Sequence, residues 1–154
     1  MLTELSAAIY GLMTVGALLA AESANSENYA ETIGAVAITM LVYWLAHSYA
    51  EFASDRLTEG QPLRFAILAR IMRHQVPILL GAAIPLLVLL IDWAVGASLS
   101  TAVKTALYTS AGMVVLIEVA AGMRAKQSGR ELLVQASFGA LLGLLIIVLR
   151  LILH

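Results

Sequence analysis

Five long apolar stretches account for most of this chain, over residues 6–21, 32–50, 76–95, 102–123 and 132–153, and most charges fall between them. Crossing the hydrocarbon core of a bilayer takes about 20 apolar residues as a helix, with a range of about 17–25. Lipid offers the backbone no hydrogen-bond partners, so each stretch is expected to be helical. The polar–apolar alternation of a barrel strand is absent. A water-soluble fold would have to bury all five stretches in one small core. Only 12% of the residues are charged and 61% are hydrophobic, against about a quarter charged in an ordinary soluble domain. The expected fold is therefore all-α: one integral membrane bundle of five transmembrane helices over 1–154. The stretch 6–21 is the weakest. It can lengthen toward Leu2, and its small residues suit contact with other helices. Residues 1–6 hold no Lys or Arg, so a span is expected here rather than a cleaved signal.

Arginine and lysine set the expected orientation. The link after the second stretch carries Arg56, Arg64, Arg70 and Arg73, and the link after the fourth carries Arg124, Lys126 and Arg130. Residues 22–31 hold three Glu and no basic residue, and 93–101 hold no charge. The two basic links are expected in the cytoplasm, which puts the N-terminus inside and the C-terminus outside, as five crossings require. An inner (plasma) membrane of bacterial type is the expected location. The only long link breaks at Gly60–Gln61–Pro62, and Pro62 suits the first turn of a new helix. Residues 62–75 then mix Leu63, Ile67, Leu68, Ile71 and Met72 with Arg64, Arg70, Arg73 and His74. This reads as a short basic amphipathic helix on the membrane surface. Arg70, Arg73, His74 and Arg124 are expected to act as interfacial anchors on anionic headgroups; a gating or metal-gathering role is the alternative.

Several function classes are excluded or left without support. A net charge of −1 gives no nucleic-acid footprint, and the lack of cysteine excludes disulfides and thiolate metal sites. The sequence has no P-loop, GxGxxG, HExxH or GxSxG. The links are too short for a catalytic domain, so no enzyme is expected; a membrane-embedded one, the third reading, would need a wet carboxylate and histidine cluster open to headgroups.

Ionisable groups in a membrane are costly and raise a functional question. His47 and Glu51 are four residues apart and share a helical face. Tyr43 lies one turn above them, with Ser54 and Asp55 near the turn below. Glu118 sits in the apolar run LIEVAAG at a similar expected depth, where it needs a partner or a wet cavity. Tyr10 and Met13 reach that level from the first stretch. Imidazole and carboxylates suit a divalent first-row cation or a proton relay through histidine. The structural alternative pairs His47 with Glu51, or pairs these groups with Arg70 and Arg124. Asp92 and Lys104 read as an ion pair or snorkelling groups, and Arg150 and His154 as headgroup anchors. Trp93 fits an interfacial belt, whereas Tyr43 and Trp44 should lie between helices. Gly139 and Gly143, like Ala7 and Gly11, allow close helix approach without identifying a dimer surface. Pro85 is a candidate kink.

The order of these features resembles the vacuolar iron transporter family over most of the chain. YGLMTVGALLA resembles that family's first-span pattern DGLVTTxALVA, and LAHSYAEFAS resembles its second-span pattern SMAxGEYxS. RHQVPILLGAAIPLLVLL is similar to the opening of its third span, and AAGMRAKQSGRELLVQASFGALLG to its last link and final span. The resemblance places Glu51 on a pathway glutamate and His47 on a methionine one turn earlier. Tyr10 stands where the family has an Asp, and the family's long acidic cytoplasmic helices are replaced by the basic segment 62–75. WLAHSYAE also resembles small bacterial five-span membrane proteins without an assigned activity. The resemblance implies a homodimer with its pathway between subunits. The expected function is a small transporter or channel for a divalent metal cation or protons, with the metal as substrate rather than cofactor. Glu51, His47, Glu118, Tyr10 and Met13 would form the pathway, with the first three as metal ligands. The rival expectation is a non-transporting membrane scaffold, or a partner subunit of another complex.

Overall fold

The structure, a computed structural model, describes residues 2–22, 28–59 and 64–153, and every regular element in it is a helix. The helices are α1 (Leu2–Glu22), α2 (Tyr29–Glu59), α3 (Phe65–His74), α4 (Val76–Ala94), α5 (Leu99–Arg124) and α6 (Gly129–Leu153). They cover all five apolar stretches and the amphipathic segment, though Gly60, Gln61 and Pro62 lie outside the described residues. At about 1.5 Å per residue, the 31 residues of α2 are longer than the hydrocarbon core. The helix therefore runs past its apolar part and carries Glu51 to Thr58 toward the membrane surface.

One residue, Gln75, separates α3 from α4, with φ −91° and ψ 0°. The cause is Pro77, near the start of α4. It has no N–H to offer the preceding turn, and its ring crowds the carbonyl four residues back. The chain bends there rather than stopping, and the Gln75 N–H still reaches the Ile71 carbonyl at 3.0 Å. Pro85 causes no comparable break; α4 runs through it, and its ring is buried.

The helix with the shortest apolar stretch occupies the centre. The apolar part of α1 is only Leu5–Ala21, whereas α2, the run Phe65–Ala94, α5 and α6 are each long and apolar enough to cross a membrane. α1 touches α2, α4, α5 and α6, and Leu12, Val15, Leu19 and Ala20 are fully buried. A helix shielded by neighbours needs less apolar surface of its own. Its contact with α4 is backbone on backbone. A Cβ added to Gly11 would collide with the Ile78 carbonyl, and one added to Gly81 would collide with the Ala8 carbonyl. On the other side, a Cβ at Gly143 would lie 3.0 Å from the Ala111 carbonyl oxygen of α5. Lipid supplies no hydrophobic force between helices, so association rests on close packing of small residues. Gly11, Gly139 and Gly143 are thus used within one chain. The core around these crossings joins Val36 and Met40 of α2, Ile78, Ala82 and Leu89 of α4, and Ala102, Val103 and Ala106 of α5.

The short links are closed by local hydrogen bonding. Gly96 has φ +76° after α4 and Lys126 has φ 51° after α5, the left-handed position that ends many helices. In each link the residue after the left-handed one donates back to the last turn: Ala97 to the Asp92 carbonyl at 2.9 Å, and Gln127 to the Gly122 carbonyl at 3.2 Å. Ser98 then caps α5, its hydroxyl accepting from Thr101 N–H at 3.3 Å. Before α6, Ser128 and Glu131 form a reciprocal capping box. Tyr29 stacks on Trp93 at 5.9 Å and donates to the Ala97 carbonyl at 2.9 Å. Asp92 accepts from the Thr105 hydroxyl and Lys104 is exposed, which fits the snorkelling alternative and not the ion pair. Arg150 corrects another expectation. It donates to the Leu19 carbonyl at 3.1 Å, meeting an unsatisfied acceptor in the last turn of α1, and so acts inside the bundle rather than as a headgroup anchor. His154 lies outside the described residues.

Helix directions alternate through the spanning helices. Tyr29 at the start of α2 meets Trp93 at the end of α4, while Trp44 donates to the Met72 carbonyl of α3 at 3.2 Å. Arg150 reaches the end of α1, and Glu118 meets Gln135 near the α5–α6 turn. The end of α2, α3 and the link 124–130 therefore share one end, called here the basic end. Around the bundle, Ile38, Leu41 and Leu45 on α2, Leu80, Leu87 and Ile91 on α4, Leu116 on α5, and Phe138, Leu141, Leu145 and Ile152 on α6 are all exposed. In water such surface would far exceed the few hundred Å² usual for an apolar patch. In acyl chains it is ordinary solvent contact. The chain is an integral membrane protein with a helical bundle fold.

Two consequences follow for stability. Leucine at Gly81 must force α1 and α4 apart, and we expect Gly81→Leu to cost about 3 kcal/mol or more, the upper range for overpacking. Gly34, with open space around its Cα, is the control, and Gly34→Leu should leave thermal unfolding in detergent unchanged. The buried Ser110 hydroxyl has no hydrogen-bond partner among the described residues. Ser110→Ala removes that unsatisfied group and should raise stability by about 1 kcal/mol, read as a higher midpoint in the same assay.

Candidate functional site

Three aromatic side chains meet where α1 crosses α2. Tyr10 stacks on Tyr43 with ring centroids 5.7 Å apart, Tyr43 stacks on His47 at 6.0 Å, and Tyr10 meets His47 at 6.0 Å in a tilted arrangement. The α2 pair follows from helical spacing, since residues four apart share a face. Tyr10 is brought there by α1, whose position is fixed by the Gly11 crossing one residue later. Tyr10, Met13, Thr14, Ala17 and Tyr43 line an apolar groove of about 500 Å³. Met13 also packs against the buried cluster of Ala20, Leu107 and Ile146.

Glu51 lies one turn beyond His47 and is half-buried. Its carboxylate accepts a hydrogen bond from the Gln75 side-chain amide. Gln75 is the residue at the α3–α4 bend, so the Pro77-induced elbow places this amide opposite α2. The Trp44 bond to the Met72 carbonyl holds α3 against α2 and fixes that register.

Glu118 has an equivalent partner on the opposite side of the bundle. Its carboxylate accepts from the Gln135 amide at 2.6 Å. The two residues are symmetric about the hairpin turn, eight before Lys126 and eight after Gln127, which puts them at one level on antiparallel helices. Two glycines make room. A Cβ at Gly139 would lie 3.1 Å from the Glu118 Cγ, and one at Gly122 would lie 2.8 Å from the Gln127 Oε1 and 3.4 Å from the Gln135 Oε1. Glu118, Gln127, Ser128, Arg130 and Gln135 line an open cavity of about 670 Å³ at the basic end.

The expected residues thus fall into two stations. One joins Tyr10, Tyr43 and His47, with Glu51 and Gln75 a turn further along α2. The other joins Glu118 and Gln135. Both lie toward the basic end, but they are served by different helix pairs, α2 with α3–α4 and α5 with α6. Among the described residues no group of three His, Asp or Glu side chains is close enough to hold a metal ion. Within one chain His47, Glu51 and Glu118 therefore do not form a joint ligand set. The partners of the carboxylates are Gln75 and Gln135 rather than Arg70 and Arg124, and the neighbour of His47 is an aromatic stack. Ser54 is exposed and Asp55 half-buried beyond the station on α2. Arg70, Arg73, His74 and Arg124 are all exposed near the basic end.

Sequence reasoning missed both glutamines. For Gln135 the signal was present: an amide in an apolar helix, at the same distance from a short turn as the carboxylate of Glu118. For Gln75 no such symmetry exists, because its position depends on the bend before α4.

No family model, curated protein or solved structure matches this chain.

The amide bonds can be tested directly. Replacing Gln135 with leucine leaves a carboxylate without its donor, and we expect Gln135→Leu to destabilise the protein by about 1–3 kcal/mol, the range for losing a hydrogen bond to a charged group. Combining it with Glu118→Leu should recover most of that loss. A double-mutant cycle read by thermal unfolding in detergent measures the coupling, and additive effects would contradict the assigned bond.

Proposed function

We propose that this protein is a small membrane transporter or channel for protons or a divalent metal cation, with Glu51 and Glu118 as its ion-binding groups. One observation carries the reading: each carboxylate is held by a neutral amide and not by an arginine. An amide donor orients a carboxylate and satisfies one lone pair but leaves the negative charge uncompensated. A carboxylate left without a cationic partner in a membrane protein is a candidate site for a proton or a cation. A carboxylate with a structural role is more economically neutralised by a guanidinium, and Arg56 and Arg124 lie within six residues of Glu51 and Glu118 respectively.

The geometry supports the proton ahead of the metal. A proton needs one carboxylate and a path, and the Tyr10–Tyr43–His47 stack, one helical turn from Glu51, offers hydroxyls and an imidazole. A divalent metal needs several ligands at once. Glu51 or Glu118 alone supplies one residue, so metal transport would require a second copy to complete the site. A homodimer of that kind is what the resemblance to the vacuolar iron transporter family implies, with Glu51 at the shared surface. The basic end would face the cytoplasm by the distribution of arginine and lysine.

Reconstituted protein in liposomes with an internal pH or metal indicator tests this. The wild type should respond to an imposed proton gradient, and Glu51→Gln should abolish the response while remaining folded. Undiminished flux in that variant removes Glu51 from the pathway. Absence of flux in the wild type, for protons and for a series of divalent ions, would leave a non-transporting scaffold as the better account.

A further inference from the structure

The bend between α3 and α4 opens the largest of the cavities described here, a groove of about 750 Å³ and within the roughly 300–1,000 Å³ usual for ligand sites. Its walls differ in character along its length. Arg70, Arg73 and His74 of α3 line one part, Val76, Pro77 and Leu80 of α4 line the other, and no acidic residue contributes. The three basic side chains are spaced so that they share one helical face. All three are exposed, and none has an ion-pair or hydrogen-bond partner among the described residues. The opposite face of α3 is fixed by buried Ile71 and by the Trp44 bond to the Met72 carbonyl. The basic face is therefore held outward on a rigid support.

Placement in the membrane decides what fits. α4 is a spanning helix and α3 lies at its surface end, so the groove passes from headgroup level to acyl level within two turns. Guanidinium groups bind phosphate through parallel N–H donors. Leu80, one turn further into the span, is exposed to acyl chains.

We propose that this elbow is a binding site for one anionic phospholipid, its phosphate held by Arg70 and Arg73 beside His74 and its upper acyl chain lying along Val76, Pro77 and Leu80. A soluble phosphate ester would have no use for the apolar wall. A diffuse counter-ion layer would have no use for the bend. The site is independent of the ion pathway, since neither Glu51 nor Glu118 lines it. Its position beside Gln75 does place the lipid next to the amide that holds Glu51.

Native mass spectrometry of the full-length protein in a neutral detergent, titrated with phosphatidylglycerol, phosphatidylcholine or glycerol phosphate, tests the assignment. One phosphatidylglycerol should be retained in preference to phosphatidylcholine, and glycerol phosphate should not displace it. Arg70→Gln combined with Arg73→Gln should weaken retention by roughly thirty-fold, the equivalent of about 1 kcal/mol per basic side chain. Leu80→Ser, which keeps both arginines, should weaken it less. Arg124→Gln combined with Lys126→Gln removes the same charge from the other basic link and should leave retention unchanged. Equal loss in the two double variants, equal binding of phosphatidylcholine, or displacement by glycerol phosphate would each overturn the proposal.

Discussion

The contact between α1 and α4, where Gly11 and Gly81 let two backbones touch, is the constraint on which the rest of the bundle depends. In water, apolar surface drives helices together whatever their detailed shape. In a bilayer the lipid tails compete on equal terms, and helices associate only where their surfaces fit more closely than lipid fits either one. Two glycines facing two carbonyls provide that fit. Their crossing puts the span with the shortest apolar stretch in the middle of the bundle, where α2, α4, α5 and α6 shield it. It also sets the height of Tyr10 against Tyr43 and His47. The α5–α6 hairpin repeats the solution with Gly139 and Gly143, and the space left by Gly139 is filled by the stem of Glu118.

The chemistry of the basic end follows from what surrounds its two acids. Glu51 and Glu118 each meet a glutamine amide, in one case across a proline-induced elbow and in the other across a short hairpin. Neither pairing neutralises charge. The arginines of the same end are exposed, and Arg70, Arg73 and His74 of α3 face a groove with no acidic lining. Glu51 and Glu118, by contrast, lie half-buried against their amide partners.

Much of the architecture was legible before any coordinates. Five apolar stretches and one amphipathic segment gave the number and kind of helices, because backbone satisfaction in lipid leaves few choices. Boundaries were less legible. α2 continues beyond its apolar stretch to Glu59, since a helix does not stop where hydrophobicity stops. At the site, Tyr43, His47 and Glu51 share a face because of helical spacing alone, and that was readable. Their partners were not. Gln75 faces Glu51 because Pro77 bends the chain, Asp92 meets Thr105 rather than Lys104, and Arg150 turns inward to the Leu19 carbonyl.

The sequence by itself determined that this chain lives in lipid, that it crosses as helices, and that its basic links gather at one end. Those properties depend on composition and on distance along the chain, which a linear string records. Only the tertiary structure decided that α1 is central, that the two acids occupy separate stations with amide partners, and that a basic groove opens at the elbow. Those depend on which helix faces which. Small residues make many close crossings possible, and the one adopted is settled by the fit of all the surfaces together.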